Sequence, residues 1–338
     1  GSTYIWIQRE NTLEQTGKKL QSLVSRRDTP QKILVESFQQ AQQRYPADHY
    51  LYALMAYGFF KNNYINYDSD KNPLIFYANR ALFIHPSNWL AHFIVAEHLY
   101  SRGRHGQALV EHRAALVNAP GSSKRMTRKR LLELYQLDEL ILLAGRDREL
   151  QTMILQDLKR ARPAEAYAAM VKMGFEESAA GWEPGELLIT SILYHAGYLD
   201  RYEARLQQHY KDYPASVWVY TSLAFNEQRK GNIDKALYYL RQGQRRATGG
   251  HAGLIFKEAQ LLAKNGDAEG LSRLLRLGEE ARPYMHHIYL WRGKIYHQQG
   301  QYQKALNDYR AADIIQPRWY KAYIMLARLW ADRGQWEL

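Results

Sequence analysis

The sequence predicts an all-α, right-handed helical-repeat solenoid of about 18 helices, and three observations predict it. Gly197, Gly231, Gly266, Gly300 and Gly334 follow one another at intervals of 34, 35, 34 and 34 residues. Such a period marks stacked helical hairpins, each burying its apolar face on the next. Other columns recur in phase. Ala236, Leu271 and Ala305 lie five residues after their glycines, and Pro214, Pro283 and Pro317 lie seventeen after theirs. Strand signals are scarce: Trp218–Ala224 is rich in β-formers, but the period demands a helix there.

Taken in order, the elements differ in regularity. Gly1-Ser2 reads as a remnant of expression. Tyr4-Ile5-Trp6-Ile7 suits either an interfacial aromatic belt beside a membrane helix or an ordinary helix start. Pro46, Ala81 and Pro86 fit a unit stretched by a longer loop over Asn62–Asn72. Gly103, Ala108, Ala115 and Pro120 mark another unit, with His105 and His112 where aromatic rings are expected to pack inward. From Gly121 to Trp182 the period is lost. Gly145 ends a long helical stretch and Pro163 opens another, which reads as one atypical pair plus an extra helix. The expected organisation is a divergent segment over 3–120, an irregular one over 121–182 and a regular array over 183–338. Tyr323, Leu326, Ala327 and Trp330 build the first helix of a last unit, and Gly334 and Trp336 begin its turn. A lone first helix would expose its apolar face, so the array is expected to continue beyond Leu338.

The clearest unit, His286–Trp319, carries Tyr289, Gly293, Tyr296, Gly300, Tyr302, Ala305, Tyr309, Ala312 and Pro317. These residues resemble the tetratricopeptide (TPR) repeat, a helix–turn–helix of about 34 residues. Arg292 is its one departure, standing where that family usually has an apolar residue. The recurring glycine can take positive φ and close the first helix. Gly293, Ala305 and Ala312 let helices approach, Tyr296 and Tyr309 fill the gaps beside them, and Pro317 suits a first turn between units.

Composition bounds the function. The net charge of +12 is shared by both halves and favours anionic partners. Its densest run is Lys124, Arg125, Arg128, Lys129 and Arg130, which reads as a solvated helix start or as a contact to an anionic surface. No stacking aromatics interleave with it, so nucleic acid is not the expected partner. Cysteine is absent, which excludes disulfides and thiolate chemistry and is compatible with an extracytoplasmic setting. The longest apolar run, Leu51–Phe60, is about half of what a bilayer requires.

Enzyme signals are missing. No nucleophile elbow, phosphate loop or His-Glu-x-x-His occurs. His98, His105 and His112 are spaced by seven, but Gly103 separates the first two, so core packing outweighs a metal site. His286-His287 points its rings to different faces of a helix. Glu176-Glu177 and Glu279-Glu280 diverge as neighbours on helices. No cofactor or metal is expected.

The TPR resemblance implies that first helices line a concave face. Carried over by alignment, that face holds Tyr194, Trp218, Phe225 and Phe256 as rings, Arg229, Lys264, Lys294 and Arg328 as cations, with His287 and His297 among them. Asp332 is the only acid expected there. A chaperone-type carboxylate clamp is excluded, because Thr221, Phe225, Lys257, His287 and Trp291 occupy its places. The expected function is a non-catalytic protein-interaction scaffold of a bacterial envelope, secretion or glycan-assembly machine, periplasmic and tethered to a membrane through regions outside this chain. A cytoplasmic location is the alternative. The expected partner is a protein with an acidic or extended segment. Positioning of an anionic polysaccharide is the second reading, and a cytosolic adaptor on RNA the third.

Overall fold

A computed structural model describes residues 2–26, 29–62 and 72–332, without the side chains of residues 2–12 and 178. Most of the expected Asn62–Asn72 loop, together with Gly334 and Trp336, lies outside the described residues. Among those described, all regular structure is helical, with twenty α-helices and two 3₁₀ turns. The β-formers of Trp218–Ala224 lie within a helix, as the period demands. The chain divides into two compact units, Gly1–Gly197 and Tyr198–Leu338.

The first unit contains α1 (Ser2–Ser25), α2 (Gln31–Arg44), α3 (His49–Lys61), α4 (Pro73–Ile84), α5 (Trp89–Ser101) and α6 (His105–Asn118). It continues with α7 (Gly121–Leu134), α8 (Leu137–Ala144), α9 (Arg148–Ala161), α10 (Pro163–Lys172), α11 (Phe175–Ser178) and α12 (Glu183–His195). The apolar run of α3 forms the centre of a core with Phe38, Leu74 and Ile94, and Leu51 through Ala56 are all buried. No described helix is long and apolar enough to cross a membrane. Residues 121–182 hold five helices, not the three expected. The helical stretch ending at Gly145 is broken at Tyr135, where Gln136 and Glu139 form a reciprocal capping box for α8.

The second unit contains α13 (Leu199–Asp212), α14 (Val217–Arg229), α15 (Ile233–Arg246), α16 (His251–Lys264), α17 (Ala268–Leu275), α18 (Met285–Gln298), α19 (Tyr302–Ile315) and α20 (Tyr320–Asp332). Helix α17 stops early. Two 3₁₀ turns, Gly278–Glu280 and Arg282–Tyr284, replace its last turns where Gly278 takes φ 60° and Pro283 follows.

Glycine ends the helices before several turns for a conformational reason. Gly103, Gly197, Gly231, Gly266 and Gly300 have φ of 73°, 84°, 85°, 72° and 72°. A Cβ added to any of them would meet nothing within 4 Å, so backbone conformation and not space selects the residue. Gly293 is different: a Cβ there would lie 2.7 Å from Tyr309 Cε1, so close helix approach selects it.

Prolines mark the turns through a hydrogen bond that composition does not reveal. The Tyr52 hydroxyl donates to the Pro46 carbonyl at 3.0 Å, and the Tyr220 hydroxyl to the Pro214 carbonyl at 2.7 Å. His92 Nε2 lies 2.7 Å from the Pro86 carbonyl in the same relation. Each ring stands six residues after its proline and satisfies a turn carbonyl. Pro317 also sits in the turn ahead of α20, with Arg318 at φ 65°, and not in the helix's first turn as the sequence suggested.

Two adjacent repeats carry opposite charges at one position, eight residues before their glycines. Glu258 on α16 is 1% exposed and accepts from Arg241 Nε at 2.8 Å, Arg273 Nη2 at 2.6 Å and Gln244 Nε2 at 2.7 Å. Arg292 on α18 donates to both Asp308 oxygens, at 2.8 and 2.6 Å, and to Ser272 Oγ at 2.9 Å. The rings of Tyr289 and Tyr296 flank its guanidinium at 5.4 and 5.8 Å. The departure from the repeat pattern at Arg292 is thus a buried ion pair.

Candidate partner-binding groove

Helices α14 and α16 each open a hairpin of the second unit and pack against one another. Thr221, Ser222, Phe225 and Gln228 recur at helical spacing on one face of α14, and Lys257, Gln260 and Lys264 on one face of α16. Leu240, from α15, joins them, and together they line a cavity of about 380 Å³. Phe225 is 47% exposed at its mouth. Lys257 and Lys264 are exposed, and neither makes an ion pair among the described residues. No acid lines the cavity.

The expected face separates into several places. Phe225 and Lys264 share the cavity. Tyr194 lies in the first unit, with its ring edge-on to His195 at 5.3 Å. Trp218 packs edge-on against His209 at 5.1 Å. Phe256 forms a half-buried cluster with Tyr284 at 4.4 Å, His287 at 5.4 Å and Trp291 at 5.5 Å. His287 also lies 4.8 Å from Trp319. Burial, then the neighbouring His286 and Lys321, push His287 down from the usual 6.5 to about 4. Its buried Nδ1 makes no hydrogen bond. The rings of His286 and His287 are 4.2 Å apart, so they do not diverge as the sequence suggested. Lys294 and Arg328 are exposed and do not line the cavity.

Two of the expected ligand-facing residues are already engaged. Arg229 lies 3.4 Å from Glu203 and donates to Asn226 Oδ1 at 3.1 Å, while Lys230 reaches the same glutamate at 2.7 Å. The Lys230 hydrogen bond is the main cause that holds the Glu203 carboxyl below its usual range. Asp332 is therefore not the only acid among these cations. His297 Nε2 lies 3.0 Å from Asp332 Oδ2, at ion-pair distance without hydrogen-bond geometry. The cavity adds Thr221, Ser222, Gln228, Lys257 and Gln260 to the expected set. The seven-residue spacing of Lys257 and Lys264 on one helix was the available signal.

Three of the five cations of the basic run on α7 are engaged in ion pairs with neighbouring helices. Lys124 pairs with Glu149 at 3.1 Å, and Arg128 Nε donates to Asp157 at 2.6 Å, so both fasten α7 to α9. Arg130 forks onto both oxygens of Glu97 on α5, each at 2.8 Å. Burial raises the Glu97 carboxyl, but His112, with Nε2 at 3.4 Å, and the Arg130 hydrogen bonds outweigh it and hold the group below its usual range. Lys129 lies 3.8 Å from Glu133 and stays exposed, as does Arg125. His112 is fully buried, 2.9 Å from the Tyr135 hydroxyl. His105, expected inward, is exposed and stacks on Tyr100 at 4.5 Å. It opens α6, one turn before the inward positions Ala108, Leu109 and His112. Among the described residues, no three His, Asp or Glu side chains converge as metal ligands.

No family model matches this chain, and no curated protein is similar to it. Solved structures are. A tetratricopeptide repeat protein from Parabacteroides merdae is 13% identical, over 94% of this chain and 99% of that one, with a TM-score of 0.33. Yeast Tom70 is 13% identical, over 91% and 62%, with a TM-score of 0.45. The Rap conjugation gene regulator of plasmid pLS20, solved with the Phr* peptide, is 13% identical, over 95% and 85%, with a TM-score of 0.35. Scores this low carry no weight beside the chain's own geometry. The helix pairs and the positive-φ glycine column make it a TPR-like, all-α helical-repeat array.

Proposed function

We propose that the chain is an interaction scaffold whose second unit holds an extended, acidic segment of a partner protein between α14 and α16. One observation carries the reading: two unpaired lysines beside an exposed phenylalanine in an acid-free cavity. A carboxylate there gains charge-assisted hydrogen bonds, and an adjacent apolar side chain covers Phe225. The hydroxyls and amides of Ser222, Gln228 and Gln260 suit the partner's backbone. The proposal includes a cell-envelope setting, which draws on the cysteine-free composition.

The test is fluorescence anisotropy with extended peptides that pair Glu or Asp with Leu or Phe, beside scrambled and charge-neutral controls. Lys257→Glu with Lys264→Glu should weaken the acidic peptides by about a hundredfold, since each charged hydrogen bond contributes roughly 1.5–3 kcal/mol. Phe225→Ala should remove the component of binding that persists in high salt. Equal affinity for acidic and neutral peptides would defeat the proposal. Purely salt-sensitive binding of an anionic polysaccharide, unaffected by Phe225→Ala, would transfer the groove to the glycan reading.

A further inference from the structure

Lys257 and Lys264 stand seven residues apart on α16, and both line the cavity between α14 and α16. Seven residues of α-helix complete about two turns and rise about 10.5 Å, so the two cations share one face, in line with the helix axis. Across the cavity, Phe225 lies six residues before Gly231, as Gln260 lies six before Gly266. In the repeat register the ring is therefore level with Gln260, midway between the two lysines.

That spacing discriminates between backbone conformations of a bound segment. On one face of a β-strand, side chains recur at about 6.6 Å and then at about 13 Å, and neither matches the lysines. In polyproline II, three residues complete a turn and advance about 9.3 Å, so residues three apart face one wall at nearly the lysine spacing. Lysine stems can lean, but leaning inward to a strand's spacing brings two ammonium groups together.

The three-sided section of polyproline II also suits two walls. With the first and fourth residues turned to α16, one of the two between them turns toward α14 and Phe225, and the other toward solvent. Its backbone has no internal hydrogen bonds, so its carbonyls are open to the amides of Gln228 on one wall and Gln260 on the other. Helix α16, with 14 residues, is about 21 Å long and so accommodates about seven such residues. Resting on the groove reading, we propose that the partner segment lies along α16 as a polyproline II helix. Two carboxylates three residues apart meet Lys257 and Lys264, and an apolar residue between them meets Phe225.

The experiment is fluorescence anisotropy of the intact chain with dye-labelled peptides of one composition, two glutamates and a leucine among prolines. Their order sets the glutamates two, three or four residues apart, with the leucine always between. A second set carries alanine for proline, so that the backbone is free to choose, and a third carries glutamine for glutamate. The three-residue spacing should bind at least about tenfold more tightly than the other two, the loss expected for one charged hydrogen bond. The alanine set should keep that order at lower affinity, because it is less preorganised. Lys257→Gln and Lys264→Gln should each weaken the best peptide by about tenfold and bind the three spacings alike, since one cation cannot read a distance. Arginine at either position should retain the preference. Equal affinity for the three spacings, all above the glutamine set, overturns this proposal and leaves the groove reading standing. Affinity no better than that of the glutamine set overturns the groove reading as well. A preference for spacing two or four in the alanine set, or one that survives either glutamine variant, also overturns the polyproline II assignment.

Discussion

Arg292 shows how one residue combines a repeat's pattern with its exception. Its place in the first helix of a hairpin suits an apolar side chain, yet the arginine side chain is only 18% exposed and forks onto Asp308. A buried pair of this kind stabilises little over an apolar replacement, but a broken one leaves an unpaired charge inside. Arg292→Leu should therefore cost about 3–5 kcal/mol. Arg292→Leu with Asp308→Leu should recover most of that loss. Urea unfolding of the four-member cycle checks this, and additive single effects would show that the pair is not coupled. The oddity of Arg292 was legible in the sequence because it breaks a column. Its partner was not, since helix packing alone brings Asp308 within reach. His105 fails in the opposite sense: its column implied a buried ring, but as the opening residue of α6 it precedes the helix's inward face.

At the scale of the element, sequence reading held wherever a backbone requirement repeated. Glycine at positive φ is such a requirement, and the hairpin turns at Gly231, Gly266 and Gly300 follow it. Once the period lapses after Gly121, helix ends depend on local caps. The Gln136–Glu139 box that separates α7 from α8 was written in the sequence, and the period did not point to it. The basic run on α7 was visible as charge, but Glu97 lies 33 residues from Arg130 along the chain and became its partner only through packing. These bonds give α7 a structural reading that can be measured. Arg130→Glu should destabilise the first unit by about 3 kcal/mol, the loss expected when a buried carboxylate loses its partner. Lys129→Glu should change stability by less than about 0.5 kcal/mol. Hydrogen exchange of α5 and α7 separates the two outcomes, and equal effects would return the run to a solvated surface.

For the whole molecule, the histidines couple folding to acidity. The folded value of His287, about 4, lies below its ordinary 6.5, with burial as the leading cause. The neutral ring is what folding favours, so its contribution is complete above about pH 6.5 and is lost as pH falls toward 4. Burial depresses His286 in the same direction. His92 has the opposite sign: its Glu111 hydrogen bond raises it, so its contribution is present below the ordinary value and is lost as pH rises through the folded one. Thermal melts from neutral to mildly acidic pH should show the second unit losing stability, and His287→Phe should flatten that slope. An unchanged slope would remove His287 from the account. The division into two units was less legible than the repeat itself, because the glycine column runs through Gly197, where the division falls.

The opposed charges at Glu258 and Arg292 also bear on how such an array can change over generations. Glu258 takes Arg241 from the hairpin before it and Arg273 from its own, and Arg292 takes its carboxylate from the hairpin it opens. Moving the Glu258 hairpin to a new neighbour would cost its carboxylate Arg241 and Gln244 and leave Arg273, whereas the Arg292–Asp308 pair would travel within one hairpin. The shared repeat grammar makes the modules look interchangeable, but the seam before Glu258 has a fixed address, while the Arg292 hairpin carries its counter-ion with it and can be copied whole.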